Sequence, residues 1–386
     1  MYVINYCARK GDLWSSADLW SSAMRPAGRP QYKRSYILKK TILAMILVFL
    51  AAAILSSNVS TKEITDMYGN KVIIPNKITK VFSVSVSLTP LMYTLAPDLL
   101  VGLNREVKSA RFFYSKEYLA LPVIGGSSSS GTILNQEVLL KLKPDIIIAW
   151  GNDMGFDQKA RDAIKSMGIP VVRVNIDSMQ NYPAAYTFLG KLLGREKRAA
   201  ELAVYISDAL TRVKKAVASI PADKRLTVYY ASADDGLNTS CADSWHAELI
   251  PYAGGVNPVK CAVGGHFTGA LRINFEQVML MDPDVILSIR KAFSQTEVKK
   301  KKWLGLKAVK TGRIYTIPEL PMNWSTGPPS FLGVIGIQWL AANLYPEYFK
   351  IDIEKETARF MKLFYGIDFT PDEVKNILAC KSIARQ

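Results

Sequence analysis

One phrase, used twice, constrains this chain more than any other feature. Residues 136–150 read QEVLLKLKPDIIIAW and residues 276–289 read EQVMLMDPDVILSI. In each, a glutamate is followed eight positions later by the aspartate of a Pro-Asp pair, and then by an aliphatic run. Glu137 therefore stands to Asp145 as Glu276 stands to Asp284, 139 residues further on. The glutamate opens apolar residues at helical spacing, and the proline stops them. The aliphatic run is short and β-branched, as in a buried strand. A helix–turn–strand unit repeated at this distance predicts two similar lobes, and 386 residues with 49% hydrophobic content can bury two ordinary cores.

The rest of the chain alternates in the same way. ITDMYGNKVIIP, residues 64–75, predicts a hairpin. Strands are expected at 80–86, 99–104, 121–126, 145–150 and 169–176, and again at 225–232, 284–289 and 313–318. Helices are expected at 87–96, 135–143, 157–167, 244–254, 275–281, 298–307 and 330–344. Continuous aliphatic strands separated by helices indicate mostly parallel sheets covered on both faces. Residues 182–219 carry Leu202, Tyr205, Ile206, Ala209, Leu210, Val213 and Val217 at helical period and predict one long helix, ended by Pro221. The fold class is α/β: two similar α/β lobes joined by one long rigid helix. The expected division is an N-terminal extension with a signal peptide (1–56), an N-terminal lobe (62–181), the linker helix (182–221), a C-terminal lobe (224–349) and C-terminal helices (350–386).

The formal net charge is +16. Residues 1–56 hold eight Lys/Arg and two Asp/Glu, which leaves 41 against 31 downstream. The excess favours an anionic ligand or surface, and without clustered aromatics it does not point to nucleic acid. The KKKK run at 299–302 reads as a solvated helix end. Thr41–Leu55 is an uncharged apolar stretch behind Lys33, Arg34, Lys39 and Lys40, with small residues after it. Short for a bilayer span, it is expected to be a cleaved signal peptide that exports the chain to the periplasm, with Met24 the working start. Export favours paired thiols. Cys241 and Cys261 flank one expected helix and are candidates for a bridge that would leave Cys380 free, with three unpaired thiols as the alternative.

The segments LNQEVLLKLKPDIIIAW, INFEQVMLMDPDVILSI and HAELIPYAGGVNPV resemble the periplasmic substrate-binding proteins of ABC importers for ferric siderophores, haem and cobalamin, the class III type with a helical backbone. The likeness covers roughly residues 62–349, and it implies a ligand cleft between the lobes. It also implies that Glu137 and Glu276, one per lobe, dock on arginines of the transmembrane permease. Exposed carboxylates suit that task because a guanidinium takes them in a bidentate pair.

In an α/β sheet the ligand lies beyond the carboxyl ends of the strands. That rule nominates Ser85, Ser87, Asn104, Arg105 and Trp150 in the N-lobe, and Tyr230, Arg290 and Trp324 in the C-lobe. Trp150 and Trp324 are expected to face each other as aromatic walls, with Trp324 in a loop too polar and proline-rich for deep burial. Arg105 and Arg290 are the anion anchors. His246, at the cleft rim, and His266 could each meet a metal in the ligand. The expected partners are a small-molecule metal chelate and the permease, with the protein a monomer. No cofactor, resident metal or nucleic acid is expected. Cobalamin, haem, a nickel chelate and molybdate or tungstate are the other ligand readings. Ser, His and Asp are present, but the strained G-x-S-x-G turn of a hydrolase is missing, which argues against an enzyme.

Overall fold

The chain enters through an antiparallel hairpin, β1 (Thr61–Thr65) and β2 (Lys71–Pro75), with Ile64 opposite Val72. Each lobe is then built on a three-stranded parallel sheet. In the N-lobe, β3 (Val81–Ser83), β4 (Ile146–Trp150) and β5 (Val171–Val174) lie in the order β3-β4-β5. In the C-lobe, β6 (Val228–Ala231) is followed by a small ladder of β7 (Asn238–Thr239) with β8 (Leu271–Arg272). Then come β9 (Val285–Ser288) and β10 (Ile314–Thr316), and the sheet order is β10-β9-β6. The middle strand of each sheet is the aliphatic run of the repeated phrase. The computed structural model describes residues 60–126, 133–151, 158–261, 271–325 and 330–383. The expected signal segment and His266 lie outside these. From Ser60 onward the chain is one unit. No helix among the described residues is long and apolar enough to cross a membrane.

The longer helices of the N-lobe are α1 (Leu88–Leu95), α2 (Gln136–Leu142) and α3 (Gln158–Ser166). The connection is α4 (Tyr182–Leu193) and α5 (Glu196–Ala218). The C-lobe carries α6 (Phe275–Met281), α7 (Lys291–Gln295), α8 (Lys307–Lys310) and α9 (Gly333–Leu344), and the tail adds α10 (Ile353–Tyr365) and α11 (Pro371–Leu378).

The two repeated units match in detail. Asn135 caps α2 by accepting the Val138 N–H at 3.0 Å, and Asn274 caps α6 by accepting that of Gln277 at 2.8 Å. Each helix ends in a left-handed residue directly before the proline, Lys143 (φ 48°) and Asp282 (φ 35°). The aspartates then do the same work. Asp145 Oδ2 accepts the N–H groups of Thr79 (2.6 Å) and Lys80 (2.9 Å) and the Thr79 hydroxyl (3.0 Å). Asp284 Oδ2 accepts the N–H and the hydroxyl of Thr227, both at 2.8 Å. In each lobe one carboxylate ties the backbone just before the first strand to the head of the second, which pins the register of the parallel pair.

Three expectations are corrected. The single helix over 182–219 is two helices, because Gly194 takes the left-handed conformation (φ 66°) and closes α4, its N–H returning to the Gly190 carbonyl. The helix expected over 298–307 is a pair of 3₁₀ turns, Glu297–Lys299 and Lys301–Trp303, before α8. Four adjacent lysines repel one another in a continuous helix. Here Glu297 takes Lys300 and Lys302, while Val298, Trp303 and Leu306 are buried. The stretches 99–104 and 121–126 pair only through single bridges, Val81 with Leu100 and Leu103 with Val123.

The tail is integral to the fold. Phe360 and Phe364 of α10 stack on each other and on Phe331, with the Phe331–Phe364 centroids 4.9 Å apart. Glu356 accepts the Tyr205 hydroxyl (2.6 Å) and pairs with Arg212 (3.1 Å), and Arg212 also donates to Gln338 (2.6 Å). That network joins α10 to α5 and α9 across the connection between the lobes.

Candidate functional site

A cavity of about 930 Å3 opens between the lobes. Its N-lobe wall includes Thr89, Asn104, Arg105, Lys108, Tyr114 and Tyr118; its C-lobe wall includes Ile289, Arg290, Glu319, Met322 and Asn323. These are loops beyond the carboxyl ends of the strands, where an α/β sheet places its ligand. The volume is at the upper end for small-molecule sites.

Three of the nine residues nominated from the sequence line this cavity: Asn104, Arg105 and Arg290. Asn104 is buried and donates to the Thr89 hydroxyl at 2.8 Å, which holds both against the wall. Arg105 is exposed on the cavity lining and makes no ion pair among the described residues. Arg290 follows β9, and its Nε donates to Asp234 Oδ1 at 2.7 Å. The pairing holds the Asp234 carboxyl below the usual range and leaves Arg290 partly occupied. On the same wall Lys291 pairs with Glu319 at 3.1 Å.

Tyr114 and Tyr118 escaped the sequence reading. Their rings stack at 5.1 Å and 17°, and Tyr93 meets both edge-on at 5.0 and 4.6 Å. Ser115 holds the pair in place by capping the short turn Lys116–Leu119, its hydroxyl accepting the Tyr118 N–H at 3.2 Å. Burial pushes the Tyr114 hydroxyl up to about 12, with Tyr93 adding to the rise and Arg105 opposing it. The Tyr118 hydroxyl is raised by burial as well. Both phenols are neutral at pH 7, on a wall that also carries Arg105, Glu106 and Lys108.

The other nominees lie elsewhere. Ser85 and Ser87 are buried and form the turn into α1: Ser85 Oγ accepts the Ser87 N–H at 3.2 Å and the Ser85 carbonyl accepts the Thr89 hydroxyl at 3.0 Å. Tyr230 is buried in the core of the C-lobe sheet. Trp324 corrects the expectation for its loop: it is fully buried, and its indole N–H satisfies the Leu320 carbonyl at 2.8 Å. One internal hydrogen bond is enough to bury a tryptophan under a proline-rich loop. The partner of Trp150 across the lobes is therefore Trp245, edge-on at 6.2 Å, with His246 stacked behind Trp245 at 3.6 Å. Burial holds the His246 imidazole below its ordinary pKa, so it is neutral at pH 7. Trp150 donates to Asp177 Oδ1 at 2.8 Å, and the Tyr68 hydroxyl donates to the same carboxylate at 2.9 Å. Beneath this contact lies a void of about 20 Å3, room for one water, onto which the Tyr182 and Ser325 hydroxyls and the Trp245 indole give without a hydrogen-bond partner among the described residues.

Glu137 and Glu276 are exposed in the first turns of α2 and α6. Cys241 and Cys261 are bridged, and Cys380 is a buried free thiol, raised by burial to about 11.

A family model described as periplasmic binding protein matches residues 121–320. An uncharacterized ABC transporter substrate-binding lipoprotein of Bacillus subtilis is 26% identical over 293 residues, covering 74% of this chain and 86% of that protein. The solved ABC transporter solute binding protein from Sulfurospirillum deleyianum is similar with a TM-score of 0.76 and 34% identity, over 82% of this chain and 99% of that one. The molybdate-bound periplasmic binding protein of Haemophilus influenzae shares the fold, with a TM-score of 0.66 and 21% identity over 80% and 99% of the two chains.

Proposed function

The chain belongs to the periplasmic binding protein family, as a substrate-binding protein of ABC transporters, and from that premise we propose that it captures an anionic metal chelate, first a ferric siderophore, and delivers it to a permease in the cell membrane. The observation that carries this reading is the composition of the 930 Å3 cavity. Arg105 and Lys108 line it beside Glu106 and make no ion pair among the described residues, next to the stacked rings of Tyr114 and Tyr118. Charge-assisted donors over an aromatic surface suit a large anion with oxygen-rich, planar arms. A molybdate-sized oxyanion would fill a small part of this volume.

The protein performs no bond chemistry in this reading. The chelate enters between the lobes, and the bent helical connection with its Glu356–Arg212–Gln338 network supports only a modest change of angle on binding. Glu137 and Glu276, repeated at equivalent positions of the two lobes, then seat the loaded protein on permease arginines. The apolar segment Thr41–Leu55 serves in this account to take the chain across the membrane.

The test is a calorimetric titration of the protein with a ferric tris-catecholate, haem, cobalamin and molybdate. Sub-micromolar affinity for the tris-catecholate that falls on the order of tenfold in Arg105→Ala supports the assignment. Tight binding of molybdate alone would replace the siderophore reading with an oxyanion one.

A further inference from the structure

The lysine run 299–302 has no place in ligand capture, and the structure puts it beside α6. Between Glu297 and Arg313 the chain carries Lys299, Lys300, Lys301, Lys302, Lys307, Lys310 and Arg313, all exposed, against one carboxylate, Glu297. Glu297 answers Lys300 and Lys302, and Asp284 answers Lys307. Lys299, Lys301, Lys310 and Arg313 make no ion pair among the described residues. The equivalent N-lobe connection, residues 157–170, carries three Lys/Arg and two Asp.

The C-lobe cations are displayed on a firm base. Val298, Trp303, Leu306 and Ala308 are buried in a hydrophobic cluster with Phe293 and Val278. Lys302 Nζ lies 6.0 Å from the ring of Phe275, the residue before Glu276. A side chain on Gly305 would come within 3.4 Å of Met279 of α6, so the lysine turn rests against that helix. Large apolar side chains stand out on the same rim: Leu280 is 87% exposed and Leu304 is 50% exposed. Unpaired cations around protruding leucines suit an anionic bilayer surface, where headgroups take the charge and the leucines enter the interface. An acidic protein surface would also satisfy the cations, and the permease arm of the test below separates the two.

We propose that this C-lobe rim binds anionic phospholipid headgroups, holding the protein on the membrane beside the permease. The position beside the permease rests on the docking proposed above; the lipid contact stands without it. Its strength is sensitive to salt, because the attraction extends about one Debye length.

The test is co-sedimentation of the full chain with phosphatidylcholine vesicles, with and without phosphatidylglycerol, at low and high salt. The apolar segment Thr41–Leu55 gives every variant the same background on phosphatidylcholine alone, which is subtracted, so binding is read as the increment that phosphatidylglycerol adds. Binding that needs phosphatidylglycerol, weakens with salt, and falls on the order of a hundredfold in a Lys299→Gln, Lys301→Gln, Lys310→Gln variant is the expected result. Leu280→Ser should weaken it a few-fold further. Binding indifferent to phosphatidylglycerol, or unchanged in the triple variant, overturns the proposal. So does a triple variant that loses the detergent-solubilised permease while keeping its vesicles, which would make the partner an acidic protein. Glu276→Lys separates the two readings: it should leave vesicle binding intact, and if transport also survives it, the docking assignment fails while the lipid surface stands.

Discussion

Asp145 and Asp284 share a threonine clamp in two different electrostatic settings. Each accepts a threonine N–H and hydroxyl at the entrance to the first strand of its sheet. Asp145 adds the Lys80 N–H, whereas Asp284, alone of the two among the described residues, takes a lysine side chain, Lys307, from the rim that follows it. The same holds for the lobes at large. Caps, stops and registers agree, because a parallel strand pair needs its first turn pinned whatever the protein does. What surrounds the shared unit differs: the N-lobe adds an aromatic wall at Tyr114 and Tyr118, and the C-lobe adds the Cys241–Cys261 bridge and a cationic rim. The repeated part carries the fold, and on the proposals above it also carries the docking glutamates, while the divergent parts would set ligand choice and membrane contact.

The largest effect should come from abolishing what the lobes share at their surface. Reversing both Glu137 and Glu276 to lysine is expected to eliminate transport in reconstituted vesicles and to leave ligand affinity within about threefold, since docking charges govern encounter and register rather than the cleft. The single variants sharpen the comparison. With a lipid foothold on the C-lobe, Glu276→Lys should cost less transport than Glu137→Lys, and equal losses would argue that the rim adds nothing.

A smaller, one-sided effect is expected from the bridge. Replacing Cys241 and Cys261 with serine opens a loop of 20 residues and should lower unfolding free energy by about 3 kcal/mol in chemical denaturation. Amide exchange should rise around β6 and β7 and stay unchanged in β3 to β5. Protection lost equally from both lobes would mean that they unfold as one unit.

The smallest effects separate the paired aspartates. Asp284→Asn should cost about 2 kcal/mol and Asp145→Asn about 1 kcal/mol, because the charged Lys307 contact outweighs the Lys80 N–H that Asp145 takes in its place. Burial pushes the Asp284 carboxyl up, but its bonds from Lys307 and Thr227 outweigh this and hold it below the ordinary range. A depressed folded pKa means that Asp284 stabilises above its unfolded value, near 4, and that this contribution fades as pH falls further. The gap between wild type and Asp284→Asn should therefore close on acidification. A gap that widens would reverse the sign of the linkage.

The repeat made most of this fold legible, because caps, prolines and aliphatic runs act locally. What stayed hidden depends on contacts between segments distant in sequence. Trp324 is buried through a carbonyl four residues away that polarity alone does not reveal. The wall at Tyr114 and Tyr118 sits on short turns with no long periodicity, and its one signal is two tyrosines spaced four apart in YSKEY. Gly194 was visible as a glycine inside a helical pattern, and its left-handed turn divided the expected helix in two. Asn104, Arg105 and Arg290 reached the cavity wall because the carboxyl ends of parallel strands do converge there. The same rule failed for Ser85, Ser87 and Tyr230, whose side chains turn back into the core.

The central claim is that the cavity between Arg105 and Arg290 holds a metal chelate. Its most direct test is diffraction at the iron absorption edge from crystals grown with a ferric tris-catecholate. The account predicts one anomalous peak in the inter-lobe cavity, over the Tyr114–Tyr118 wall and within reach of Arg105. A peak beside His246 and Trp245, or none between the lobes while the chelate binds stoichiometrically in solution, would contradict it.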